Sequence, residues 1–176
     1  MFYLRGMSRG RRVFEVVLFG LLVTGGSVPP GPAAAADDKV RVLDETPFSS
    51  VADVPPAVRN ECRQIGRELP NAIARSNRNV TLVKTPKELT AHHGKYLVVE
   101  ITEVRAKGGG VMSGPKHLGI RGVLYENGKE IADFEGQRGS MGGTSTCGLF
   151  EKAEKALGAD VGLWLERPHP HDRLGG

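Results

Sequence analysis

The chain has 176 residues, with 24 Lys and Arg against 20 Asp and Glu and a net charge of +4. Residues 1–36 hold four of the basic residues and one of the acidic ones, so the remainder carries 20 against 19, a net +1. The pI of about 9.2 therefore belongs mostly to the amino-terminal segment, and a nucleic-acid role has no electrostatic footing.

That segment has the layout of a secretion signal. Arg5, Arg9, Arg11 and Arg12 form a positive region, and an apolar stretch follows over 13–28. In "PAAAADDK" the residues Ala34 and Ala36 satisfy the small-x-small rule, which sets the cleavage between Ala36 and Asp37. Met7 is an alternative start, since "MSRGRR" supplies enough positive charge by itself. The apolar run falls short of the roughly 20 residues of a spanning helix and ends in Pro, Gly and Ala, so no stable membrane anchor is expected after cleavage. The mature chain is expected to be periplasmic or secreted. It divides into a polar leader (37–53), one α/β domain (54–167) and a flexible tail (168–176).

Within the domain, Val58, Cys62, Ile65 and Leu69 recur at helical spacing and predict a helix over 54–69, with Pro70 breaking or restarting it. "NVTLVK" (79–84) reads as a short strand. Thr85-Pro86-Lys87-Glu88 is a capping box with proline at the first helical position. "YLVVEITEVRA" (96–106) is a strand with Leu97, Val99 and Ile101 on one face. The order strand, short helix, strand suggests a βαβ crossover.

"KHLGIRGVLYENGKEIADFEGQR" predicts a hairpin. A strict two-residue Asn127-Gly128 turn would set Arg121 opposite Phe134. A three-residue loop, Glu126-Asn127-Gly128, instead pairs Ile120 with Phe134, Gly122 with Ala132 and Arg121 with Asp133, and this register is the expected one. A closing helix over 147–165 places Phe150, Ala153, Leu157, Val161 and Trp164 on one face, with Gly158 and Gly162 as a site for a kink. The expected fold is α+β: a two-layer α/β sandwich with about four strands in a mixed sheet and two long helices on one face.

Two glycine-rich stretches invite chemistry. "GGGVMSGPKHLG" (108–119) has the glycine spacing of a phosphate loop, but Pro115 stands where lysine is needed and no helix follows. "GQRGSMGGTSTCGLF" (136–150) leads into a helix without a Gly-Lys-Ser/Thr element and reads as a capped helix start. Cys147 at that start would be a favoured thiolate, yet there is no Cys-x-x-Cys and no histidine close in sequence to act as base. With two cysteines in an exported chain, a Cys62–Cys147 disulfide stapling the two helices is the expected arrangement. His92-His93 and His169-x-His171-Asp172 are poorly preorganised metal ligands, so no metal or other cofactor is expected. No Gly-x-Ser-x-Gly and no glycosidase-like carboxylate pair occurs, and no catalytic residue is assigned.

The pattern "KHLGIRGVLYENGKEIADFEGQRGSMGG…CGLFEKAEKALGADVGLWLERP" resembles a group of small, exported, uncharacterised bacterial envelope proteins over roughly residues 57–168. Its layout is also similar to α/β domains in TolB amino-terminal regions and in curli-secretion and penicillin-binding-protein-activating lipoproteins. That resemblance implies binding to other envelope proteins. The chain departs from the lipoproteins in lacking a lipid-attachment cysteine. The expected function is a non-catalytic binding or accessory module of the envelope, stabilised by one disulfide, with another envelope protein as partner. The alternative is a thiol-dependent envelope redox protein using Cys147.

Overall fold

The computed structural model describes residues 39–91, 93–106, 114–143 and 145–175. Their elements begin with β1 (Val40–Leu43), β2 (Phe48–Asp53), α1 (Pro56–Glu61), α2 (Glu68–Ser76) and β3 (Val80–Val83). Then come α3 (Pro86–Thr90), β4 (Lys95–Ala106), β5 (Lys116–Glu126), β6 (Lys129–Ser140), α4 (Thr146–Trp164) and β7 (Asp172–Leu174). The strands make one seven-stranded sheet in the order β3-β1-β4-β5-β6-β7, with β2 also paired to β4. The expected four-stranded sheet under two long helices is thereby corrected. The described residues hold seven strands and four helices, and only α4, at 19 residues, is long.

Each added element has a physical reason. The segment read as a polar leader contains "VRVL", whose Val40 and Val42 are buried while Arg41 and Leu43 are only half-buried, the period of two that a strand requires. β1 pairs in parallel with β3 on one side and with the start of β4 on the other. β2 pairs in parallel farther along β4, where Phe48 meets Ile101. At the other end of the chain, β7 adds in parallel to β6 over Phe134–Gly136. The Trp164 indole N–H donates to Asp172 at 2.8 Å, so the closing helix itself holds the tail.

The first predicted helix is two. The backbone leaves helical geometry at Cys62 and turns through Gly66 at φ +101°. A side chain there would be strained and would strike the Thr46 carbonyl oxygen at 2.4 Å. The helix restarts at Glu68, which puts Pro70 in the first turn of α2, where a missing N–H breaks no intrahelical bond. α3 carries the predicted capping box: Thr85 Oγ1 accepts from the Glu88 N–H at 3.2 Å, and Glu88 Oε2 accepts from the Thr85 N–H at 3.3 Å.

The hairpin register is also corrected. Asn127 and Gly128 both have positive φ and make a two-residue turn, with Glu126 opposite Lys129 and Tyr125 opposite Glu130. A bulge at Ile131 then shifts the pairing by one, so Gly122 faces Phe134, Ile120 faces Gly136 and Arg121 faces Glu135. The one-residue shift restores the correct faces, which a strict two-residue turn would have inverted. Phe134 needs Gly122 opposite it, since a Cβ there would lie 2.3 Å from the ring. β4 uses the same device: a shift between Ile101 and Glu103 lets Leu97, Val99, Ile101 and Val104 all point inward.

One core joins the inner face of the sheet to α1, α2 and α4, through Val58, Leu69, Ile73, Phe150, Leu157 and Val161. Phe134 packs edge-on against Trp164 at 4.7 Å between ring centroids. Gly158 and Gly162, read as a weak point, are contact positions instead. Cβ atoms there would come within 2.4 Å of Ala72 Cβ and 2.5 Å of Ser76 Cβ on α2. The glycines let α2 and α4 approach closely.

Candidate functional site

Cys62 closes α1 and Cys147 opens α4, and their sulfurs are joined in a disulfide with Cα atoms 5.3 Å apart. Neither cysteine is free. Cys62 is buried. Ser145 Oγ caps α4 by accepting from the Gly148 N–H at 3.1 Å. The glycine-rich stretch at 136–150 is thus the end of β6, a short link and a capped helix that carries one end of the bridge. The cleavage pair Ala36 and Asp37, the alternative start Met7, His92 and residues 107–113 lie outside the described residues.

Beside the bridge lies a residue the sequence reading passed over. Glu154 on α4 is 1% exposed. Its carboxylate accepts from the Gly66 N–H at 3.1 Å, the Glu68 N–H at 2.9 Å and the Leu69 N–H at 3.1 Å. It therefore satisfies donors at the start of α2 that no side chain of α2 caps. Burial pushes the Glu154 carboxyl above its ordinary value, the three N–H groups oppose that shift, and the neighbouring Glu68 charge adds to it. The available signal was its position inside the apolar stripe, one turn from Phe150 and from Gly158. This cluster is structural: it ties α4 to the turn between α1 and α2. Gly66 in turn accepts through its carbonyl from the Thr46 N–H at 2.7 Å.

The predicted histidines do not converge. His93 and His169 are exposed, and His171 has Nδ1 3.1 Å from Asp133 Oδ1 with its side chain 88% exposed. The His171 backbone N–H also donates to Asp133, which holds that carboxyl below its usual range. Among the described residues no group of three His, Cys, Asp or Glu is placed to hold a metal.

What remains is the outer face of the sheet. α1, α2 and α4 share the inner face, and α3 buries Leu89 beside β1 and β3, outside the main core. Over β4 to β7 the outward side chains run in rows across the strands. Tyr96 and Tyr125 stack at 4.9 Å with rings 11° apart. Val98 pairs with Val123 in the next row. Beyond it Glu100, Arg121, Glu135 and Arg173 are successive register partners on β4, β5, β6 and β7. Arg121 donates to Glu100 at 3.3 Å. A groove of about 590 Å³ follows this charged row and the adjacent row, where Gly119 lies in register between Glu103 and Gln137. Charged groups on a sheet face that no described helix covers over β4 to β6 can bind a complementary surface, and the stacked tyrosines add an amphipathic edge.

No protein-family model matches the chain, and no curated protein matches it. Among solved structures, the PelC dodecamer from Paraburkholderia phytofirmans superposes with a TM-score of 0.44 at 18% identity, covering 73% of this chain and 92% of that one. A point variant of the same dodecamer gives a TM-score of 0.45 at the same identity and coverage. Superposition this loose carries no argument about the present chain. Nor does either match bear on the resemblance to small envelope proteins and TolB amino-terminal-like domains. No helix among the described residues is long and apolar enough to cross a membrane.

Proposed function

We propose that the chain is an exported, periplasmic or secreted binding or accessory protein of the bacterial envelope, braced by the Cys62–Cys147 disulfide, that works through the open face of its sheet. The observation that carries this reading is the one-sided layering. A seven-stranded sheet has its main core on one side, while Tyr96, Val123, Arg121, Glu135 and Arg173 are left on the other. Export is supported by the amino-terminal pattern and by a disulfide of a kind that persists in oxidising compartments. The thiol-dependent alternative has no observation in its favour, because the Cys147 sulfur is bonded to Cys62.

The test is site-specific photo-crosslinking in the exporting cell. A photoreactive residue in place of Val123, at the centre of the open face, should give a discrete adduct. The same residue in place of Leu163, 62% exposed on α4, should give none. Absence of any adduct from position 123, or equal labelling from both, would remove the open face as the working surface.

A further inference from the structure

The charged row on the open face is complementary to itself. Glu100, Arg121, Glu135 and Arg173 read minus, plus, minus, plus across four adjacent strands, a span of about 14 Å at ordinary strand spacing. A half-turn about an axis parallel to the strands, between β5 and β6, reverses that order. The second copy's Arg173 then stands over Glu100 and its Glu135 over Arg121, and every contact joins opposite charges. A half-turn about an axis along the row would put like over like, which is penalised. Glu135 and Arg173 are exposed register neighbours without a salt bridge between them, so these charges are available to a facing surface.

We infer that the open face docks a second copy of this chain, sheet to sheet, about the strand-parallel two-fold axis. The inference rests on the reading of that face as the working surface and names its partner. Sheets packed face to face lie about 10 Å apart, within reach of an arginine and a glutamate extended toward each other. Three strands of 11 and 12 residues with the three-residue β7 beside them project roughly 600 Å², below but near the ~800 Å² per partner of a standard interface. In the neighbouring row the same rotation sets Val98 and Val123 over the second copy's His171 and Asp133. That pair is already mutually satisfied, with Asp133 accepting from the His171 backbone N–H at 2.9 Å.

The experiment is sedimentation of the full, oxidised, exported protein at low and high salt. Wild type should show a concentration-dependent monomer–dimer equilibrium that weakens as salt rises. Arg121→Glu should raise the dimer Kd about tenfold or more, and Glu135→Arg alone should do the same. The two changes together make the row minus, minus, plus, plus, which the same rotation still matches, so the dimer should return. Inside one sheet the double change sets like charges side by side at both ends of the row, so a purely intramolecular role predicts no recovery. An intact disulfide and a cooperative melt identify variants that fold, and the two single variants check each other. A wild type that stays monomeric, a dimer indifferent to both single changes, or a double variant that stays monomeric each overturns the inference. A monomer whose position 123 crosslinks to a different protein would sink the second copy as partner and leave the open face as the binding surface.

Discussion

Replacing Gly158 by alanine sets two effects of opposite sign against each other. In an exposed helix interior the change would gain about 1 kcal/mol from helix propensity. In α4 the new Cβ would stand 2.4 Å from Ala72 Cβ and 2.7 Å from the Leu69 carbonyl oxygen. Both atoms are fixed by the backbone of α2 and cannot swing aside, so the helices must part by about 1 Å to regain contact near 3.5 Å. Overpacking of this kind costs about 1–3 kcal/mol. The upper end applies, because the same separation stretches the Glu154 bonds to the Glu68 and Leu69 N–H groups, now 2.9 and 3.1 Å. The net expectation is a loss of about 2 kcal/mol, or a Tm lower by about 6 °C for a domain of this size. Thermal and urea unfolding of the oxidised protein measure it. In a double-mutant cycle with Ala72→Gly, the pair should cost about 1 kcal/mol less than the sum of the two single changes. A Gly158→Ala variant with a raised Tm would refute the close approach of α2 and α4.

Cys147→Ser opens a loop whose ends are 85 residues apart, and in the chain-entropy model stability should fall by roughly 4–5 kcal/mol; urea unfolding of wild type with and without reductant should show the same loss. Glu154→Ala strands three N–H groups near the start of α2 and should cost about 3 kcal/mol or more. The Glu154 carboxyl is raised in the folded state, so its contribution is full below the ordinary carboxylate value and is lost as pH rises through the raised one. Compared with Glu154→Gln, wild type should therefore lose stability with rising pH across that window, and parallel pH profiles would refute the shift. Asp133 has the opposite sign: its carboxyl is lowered by the His171 N–H, so its contribution holds above the ordinary value and is lost as pH falls through the lowered one. Protection of the β7 amides, taken relative to their intrinsic exchange rate at each pH, should fall in acid, and Asp133→Asn should remove that dependence.

Much of the inner architecture was legible because burial writes a period into the sequence. Leu97, Val99 and Ile101 marked β4, Phe150 to Trp164 marked α4, and Thr85 to Glu88 announced α3 by its cap. The disulfide followed from two cysteines in an exported chain, each on a helix read as packing on the same face of the sheet. The strands at the two ends of the domain were not seen. β1 has four residues and β7 three, and each is held by neighbours distant in sequence. α1 and α2 share an apolar stripe across a break that only the left-handed Gly66 and the Cys62 turn reveal. Glu154 looked like one more solvated carboxylate, because the donors it serves are more than 80 residues away.

The candidate site was harder still, since it depends on which residues lie side by side and not only on which face each takes. Parity alone sends Arg121 outward in both the expected and the observed register. The three-residue loop would have set it opposite Asp133, whereas the bulge at Ile131 sets it opposite Glu135. That shift decides the surface. Asp133 is taken by His171, while Glu135 has Arg173 as its next neighbour on β7. One unpaired residue in β6 thus joins Arg121 to a row of four alternating charges and leaves the Asp133–His171 pair to anchor the tail. Deleting Ile131 should therefore keep the register, because Ala132 would then follow Glu130 directly and still face Leu124. Phe134 would stay opposite Gly122 and against Trp164, whereas one further residue inserted at the bulge would move every later β6 residue by one place and invert the face of Phe134. The bulge is the point at which the packing of the inner face and the charge pattern of the outer face constrain each other.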